Sequence, residues 1–587
     1  MNLKIQKISI LLFLFSGLSV FSQIKEEQLI LDKKREPEVK KIEKKKTSVE
    51  SIKNYPPEEK SQNPVEYSIT NVPALSDFQT STLQADDISP NLKTDYYSNY
   101  VRFGMGNYGK ILGDANVSYT LENKLEVGAD AHINANHGLQ NIYAWDSRQT
   151  SLKAGAFLNG YGEKGKYNVT ADFGQENYNY YGIYALNPAS DVDINQKVNA
   201  FRVKGSYDHF SNEYLNNITF KSSFLSDRFG AKENKGALDF NFSKHDLELP
   251  LNDVKMNADL GLGLETQSTD FEILNTNSSS YFLGNLSPKV TFIKDKSYLT
   301  IGSGFTYLST NESNLSLDRK ANKTYWFPKA ELQLAKSDEL KFYAGVDGGL
   351  SLNSYASMLE KNLYIVSDQR VTPTETKYNV YLGIRGDVDE LIKYDVSIGH
   401  SKVNDILFYQ TNNLFDTSIA AIRNAYDFAN TFSAIYDNGT KNEVNASLQY
   451  FPRENFNVSG SFHYINYKME NFDNIYNVPT FSAELGAEYT LLNKKLLLGF
   501  KGFMASTMVT NLYDVTNTGL STNYTTTEQL NTKFGGYVDF NLSAEYKIHK
   551  NFSIFAIGNN LIGGNYSTLQ GYQVLGAQIL GGLKVSF

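Results

Sequence analysis

The chain reads as an all-β transmembrane protein: an antiparallel up-and-down β-barrel of about 22 strands behind a short, largely disordered periplasmic N-terminal arm. Three observations predict it. A secretory leader opens the sequence, side chains alternate with period two up to an aromatic last residue, and short polar turns recur at regular spacing.

Residues 1–22 combine a basic start (Lys4, Lys7), an apolar run from Ile8 to Val20 and small Ser22 before Gln23. That is the pattern of a signal peptide, and its apolar run is too short to be a membrane helix. The chain has no cysteine, which excludes cysteine-linked lipid, disulfides, thiolate metal sites and a thiol nucleophile. No later stretch offers the roughly 18 apolar residues of a spanning helix, so any membrane crossing must be made by strands. The 40 Tyr, 36 Phe and 42 Gly against two Trp suit a large sheet with aromatic belts. A net charge of −8 is mild and argues against a nucleic-acid binder.

Residues 23–96 differ from everything after them. Lys33–Lys46 holds eight basic residues against three acidic ones, and Pro37, Pro56, Pro57, Pro64, Pro73 and Pro90 punctuate the wider stretch. Such a segment buries too little apolar surface to offset its ordering entropy and is expected to be disordered. The basic run is either a solvated tether or a contact for an anionic surface or acidic periplasmic partner. Val65–Pro90 is more apolar and is a candidate to dock.

From residue 97 onward, paired runs flank short turns at Glu122–Lys124, Glu163–Gly165, Phe210–Glu213, Leu249–Asp253, Lys294–Lys296, Lys336–Glu339, Asp389–Ile392, Pro452–Asn455, Asn493–Lys495 and His549–Asn551. Longer, more polar stretches lie between them: Asn134–Arg148, Tyr178–Asp191, Asn353–Thr374, Leu407–Lys441 and Asn511–Asn531. Short turns on one side and long loops on the other are the asymmetry of an outer-membrane barrel, with turns periplasmic and loops extracellular. With both ends periplasmic, n strands need n/2 − 1 turns, so the ten turns give 22 strands. A ring also removes the exposed edges that so many strands would otherwise present.

Within the runs one face is apolar and the other polar. Val538, Phe540, Leu542, Ala544, Tyr546 and Ile548 oppose Asp539, Asn541, Ser543, Glu545 and Lys547; Val444, Ala446 and Leu448 oppose Asn445, Ser447 and Gln449. The apolar sets are expected to meet lipid. Asp539, Asn541, Glu545, Lys547, Asn445 and Gln449 are expected to line the lumen. Aromatic residues cluster at run ends, as at Tyr178, Tyr180, Tyr181 and Tyr184, which favours a membrane barrel over a soluble sheet. The same alternation occurs in soluble β-sandwiches and propellers, but no 40–50-residue blade motif recurs.

Val538–Tyr546, Asn551–Phe555, Gly558–Leu561, Gly571-Tyr572 and the ending Gly581–Phe587 resemble the barrel end of TonB-dependent receptors in the Bacteroidetes style. The match covers about the last 50 residues; upstream, only strand period and turn spacing agree. The resemblance implies that Phe587 is the aromatic terminus read by the outer-membrane assembly machinery, and that lipid and that machinery are partners. The sequence departs from the family at the other end. Only the 74 residues 23–96 separate leader and barrel, and no TonB-contacting box stands out, so a folded plug is not expected. A plugless ring this wide needs a filler: inward-folded Leu407–Lys441 and Asn353–Thr374, the Val65–Pro90 segment, or another protein.

Reactive chemistry is sparse. His132, His137, His209, His245, His400, His463 and His549 form no ligand-spaced cluster. Ser461 and His463 share a strand face but lack an orienting acid and an oxyanion motif. Gly558–Gly564 lacks the lysine and helix of a phosphate loop, and Asn471–Asp473 is too short for calcium. No enzyme activity, metal or cofactor is expected. The expectations that remain are a channel or receptor component, a non-transporting subunit of an assembly or secretion complex, and a porin-like transporter with its own hatch.

Overall fold

The computed structural model describes residues 99–587 apart from 122–123, 140–145, 183–185, 187–191, 211–212, 249–252, 315–316, 518 and 520. The leader, the 23–96 arm with Lys33–Lys46 and Val65–Pro90, and Tyr184 lie outside the described residues.

Twenty-two strands form one closed antiparallel sheet. Each of the ten predicted turns joins two neighbouring strands, from Ile111–Thr120 and Leu125–Asn136 to Thr525–His549 and Phe552–Asn559. The tight reversals put polar residues where the backbone must be left-handed, as at Asp295 (φ 53°), Asp389 (φ 53°) and Glu390 (φ 58°). The first strand, Tyr100–Gly106, closes the ring on the last, Gln578–Ser586, over seven residue pairs from Tyr100↔Ser586 to Gly106↔Leu580. Further hydrogen bonds lengthen this seam. Asn107 donates to Ala577 O at 2.7 Å and accepts from Ile579 N at 2.8 Å, and at the other end Phe587 N donates to Asn99 O at 3.0 Å.

The predicted alternation holds. On the last strand and its neighbours Ile579, Leu583, Val101, Phe103 and Met105 stand exposed, while Gln578, Leu580, Lys584 and Arg102 between them are buried. Val538 is 60% exposed and adjacent Asp539 1%. An apolar outer face against hydrocarbon needs every main-chain group paired within the sheet, and ring closure supplies that. At the seam the inner face also carries an apolar patch: Leu112, Phe555, Ile557 and Leu580 form a small buried cluster. A Cβ on Gly104 would stand 2.7 Å from Leu580 Cδ2 and 2.9 Å from the Phe555 ring, so both side chains would have to shift to admit one.

Strand height varies widely. The first strand has 7 residues, whereas Phe432–Arg453 has 22 and Thr525–His549 has 25. Leu407–Lys441 and Asn511–Asn531 were expected to be loops, but the loops are only 412–431 and 517–524, with strand continuing to Thr411 and Thr516 and resuming at Phe432 and Thr525. Beyond the lipid both faces of a strand meet water, so the alternation fades while the ladder continues. Among the described residues no helix is long and apolar enough to cross a membrane.

Candidate functional site: loops that cross the barrel mouth

The long-loop rim carries the main buried core. The connection 352–373 turns inward and starts with a capping box: Ser354 Oγ accepts from Ser357 N at 3.1 Å, and Ser357 Oγ accepts from Ser354 N at 3.0 Å. This starts the short helix Tyr355–Lys361. Its first N–H groups find a wall carboxylate. Glu233 accepts from Tyr355 N at 2.5 Å, Ala356 N at 3.1 Å and Thr269 Oγ1 at 3.1 Å. A carboxylate at a helix N-terminus is favoured by the unpaired N–H groups there.

A second wall carboxylate, Asp227, gathers the rest. It accepts from Tyr355 Oη at 2.8 Å, Gln196 Nε2 at 3.0 Å, Phe229 N and Ala231 N at 2.9 Å each, and the Ser367 hydroxyl. Burial beside Asp227 pushes the Tyr355 hydroxyl pKa far up, so it stays a donor. Wall side chains also satisfy the segment's carbonyls. Tyr180 Oη donates to Ile365 O at 2.9 Å and Gln267 Nε2 to Asn353 O at 2.8 Å, while Tyr178 and Tyr281 donate to Leu363 O and Val371 O. Met358, Ile365, Phe432, Phe271, Leu283 and Tyr572 are among the buried side chains packed around these bonds.

Two further loops complete the closure. Val366 N donates to Phe432 O at 3.0 Å and Phe432 N to Tyr364 O at 3.1 Å, so 352–373 pairs briefly with the strand after loop 412–431. Asn430 Nδ2 donates to Tyr180 O at 3.0 Å, and the Tyr572 hydroxyl donates to Asn430 O. Tyr572 stacks on Tyr364, and Tyr181 Oη reaches Gln573 O at 3.1 Å. Tyr180 follows the fifth strand of the ring, Gly165–Asn179, and Asn430 precedes the sixteenth, Phe432–Arg453. The two strands that root these residues stand eleven apart in a ring of 22, on opposite walls. Their hydrogen bond therefore joins segments that meet over the mouth from opposite walls.

Two loop carboxyls are buried without full ionic compensation. Burial raises the Asp368 pKa although Asn275 N donates to it at 2.9 Å. Burial also raises that of Asp427, outweighing its hydrogen bond from Phe415 N and its contact with Arg423 at 3.0 Å.

Below the loops the inner wall is built from ion pairs. Arg102 meets Asp114 at 2.7 Å, Lys501 meets Glu484 at 3.2 Å, and Lys584 meets Glu545 at 3.3 Å. Arg385 reaches Tyr298 Oη at 2.7 Å, three strands away, and lies over the Tyr343 ring at 4.6 Å. Contacts over that many strands form only on the concave face.

The residues expected to line the lumen do different things. Asp539 and Asn541 hold the last loop: Asp539 accepts from Tyr566 Oη at 3.1 Å and Asn541 Oδ1 from Asn560 N at 2.8 Å. Glu545 is the partner of Lys584. Asn445 bonds His463, Lys547 is half-buried, and Gln449 is exposed. Asp227, Glu233, Tyr178 and Tyr180 were not singled out as anchors. Tyr178, Tyr180 and Tyr181 are buried inside the closure; the close spacing of three tyrosines at one strand end is their signal. Among the described residues no group of three His, Asp or Glu side chains is placed to hold a metal.

No protein-family model and no curated protein matches this sequence. Solved structures do resemble the fold. The ferric-catecholate import receptor Fiu from E. coli K12 superposes with a TM-score of 0.60 at 10% identity, over 84% of this chain and 82% of that one. The FrpB iron transporter from Neisseria meningitidis gives 0.59 at 9%, covering 84% and 81%. The siderophore receptor PiuA from Acinetobacter baumannii gives 0.58 at 11%, covering 83% and 82%. At such identity the likeness speaks to fold alone: a 22-strand antiparallel barrel similar to those of these receptors.

Proposed function

We propose that the chain is a plugless, receptor-like component of the outer membrane, of the Bacteroidetes type, whose own loops close its lumen and engage a solute or a partner protein. In this reading the short-turn rim and the N-terminal arm are periplasmic, Phe587 is the assembly signal, and the inward Asp539, Asn541, Glu545, Lys547, Asn445 and Gln449 border the water-filled interior. The observation that carries it is the bond between Asn430 and Tyr180 over the mouth, with 352–373 anchored on Asp227 and Glu233. A ring of 22 strands is wide, and loops that cross it take the place of a plug. Purified protein in a planar bilayer should give little current, and replacing 354–372 by a short Gly/Ser linker should open a large, steady one. A large steady current from the unaltered protein would overturn the reading.

The same closure favours a second reading. A mouth shut by its own core suits a non-transporting subunit of an outer-membrane assembly or secretion complex. Isolation in mild detergent separates the two: a stoichiometric complex, with no current even after 354–372 is replaced, supports the subunit.

A further inference from the structure

The inner wall beneath Asp227 gathers charges of one sign. Arg202 and Lys204 stand on Asn195–His209, and Lys221 stands on Glu213–Asp227. They share strand parity with Gln196 and Asp227, which meet inside the closure, so all three point inward. Their chain neighbours Phe201 and Phe220 stand exposed on the opposite, lipid face. Lys221 lies six residues below Asp227, about 20 Å along the strand at roughly 3.4 Å per residue.

Two rows of the ladder build the patch. In one, Thr170, Lys204 and Lys221 are successive partners; in the other, Arg202 faces Ser223. Like charges directly opposite on neighbouring strands repel. Among the described residues none of the three cations has a carboxylate at ion-pair distance, and neither hydroxyl has a hydrogen-bond partner. Two nearby inward lysines do have partners, Lys166 with Asp208 at 3.7 Å and Lys235 with Glu265 at 3.6 Å. Asp239 faces Thr219 one row below Lys221. Asp172 is the ladder partner of Arg202 but turns the other way. A Cβ on Gly155, on the strand beyond, would stand 2.7 Å from Asp172 Oδ1 and 2.6 Å from Asp130 Oδ1. The acids thus crowd over one glycine while the cations crowd together further round the wall.

Small inward neighbours leave room around the cations: Gly174 and Ala200 above Arg202, and Ala237 beside Lys221. The three cations and two hydroxyls lie within about 7 Å along the strands and about 10 Å across them. Guanidinium, ammonium and hydroxyl groups can all donate, so the matching ligand accepts and is negative.

We propose that Arg202, Lys204, Lys221, Thr170 and Ser223 form a lumenal site for an oxyanion of two or more charges, the phosphate or polycarboxylate group of a solute. An anion between Lys204 and Lys221 offsets their repulsion, and Arg202 can grip it with two parallel N–H bonds. The proposal rests on the receptor-component reading and names the class of solute.

Full-length protein in nonionic detergent is titrated calorimetrically with pyrophosphate and, separately, with citrate at low ionic strength, where screening is weak. At least one should bind, and the tighter of the two identifies phosphate or carboxylate as the group. Lys204→Gln should weaken binding about tenfold, and Arg202→Gln, Lys204→Gln and Lys221→Gln together about a hundredfold or more. Lys289→Gln, on an inward lysine three strands further round, should leave binding unchanged. Without ligand, Lys204→Gln should raise the denaturant midpoint of the heat-modifiable barrel, because a repulsion is removed. Binding of neither anion, equal weakening by Lys289→Gln, undiminished affinity in the triple variant, or a lowered midpoint for Lys204→Gln would each overturn the site. None of these readouts is a bilayer current, so failure here is distinct from failure of the receptor reading.

Discussion

The carboxylates that anchor the loop closure and those of the wall beneath it are satisfied in opposite ways. In the closure, Asp227 and Glu233 are met by neutral donors: amide N–H groups, hydroxyls and a glutamine. In the wall, Asp114, Glu484 and Glu545 are met by Arg102, Lys501 and Lys584. Arg102–Asp114 and Lys501–Glu484 each hold neighbouring strands that the ladder already joins, and Lys584–Glu545 reaches over one strand within the same ladder. A neutral-donor carboxylate joins segments with no ladder between them, so its hydrogen bonds carry the contact alone. The wall is thus built to stay and the closure to be separable from it.

Four perturbations break or sharpen that contrast. Phe432→Ala, at a fully buried position of the closure, should cost about 3–5 kcal/mol and release hydrogen-exchange protection across 352–373. Phe103→Ala on the lipid face is the control and should leave those amides protected. Lys584→Met leaves Glu545 buried without its cation; at roughly 3 kcal/mol it should lower the denaturant midpoint of the heat-modifiable barrel and spare the loop amides. Asp227→Asn keeps one acceptor oxygen and loses the charge. About 1–2 kcal/mol should then appear as faster exchange in 352–373, at an unchanged barrel midpoint.

The smallest effect is that of pH. Burial raises the Asp368 and Asp427 pKa values in the folded protein above their unfolded values. Their stabilising contribution is therefore complete below the ordinary carboxylate range and is lost as pH rises through the folded values. Protection of 352–373 and 412–431 should increase as pH falls from 7 toward about 4. Protection that falls monotonically over that interval would show that other carboxylates control the closure.

Much of the barrel was legible because its information is local. Turns such as Asp295-Lys296 and Asp389-Glu390 sit beside the strands they join, and period two needs only a few residues to show. The closure was legible in part. Asn353–Thr374 stood out as a polar interruption of the strand pattern, with inward folding one of several possible fillers. Its anchors did not stand out, because Glu233 and Tyr355 lie 122 residues apart and Asp227 and Tyr355 lie 128 apart. A lone inward carboxylate near a strand end looks the same whether it faces water or a helix. Asn541 illustrates the ambiguity: its alternation gives the face, and only the fold brings Asn560 N to it.

The seven-pair seam has a consequence for assembly. Among the described residues Tyr100 and Ser586 are the most distant ladder partners, yet they meet along the shortest strand of the ring. The entropy of joining such remote ends is met by few main-chain bonds, so this junction should zip last. Asn99 and Asn107 then act as clasps at the two ends of a short fastening. A nascent chain lacking either would linger as an unsealed sheet, and its birth into the membrane would slow before its finished form weakened.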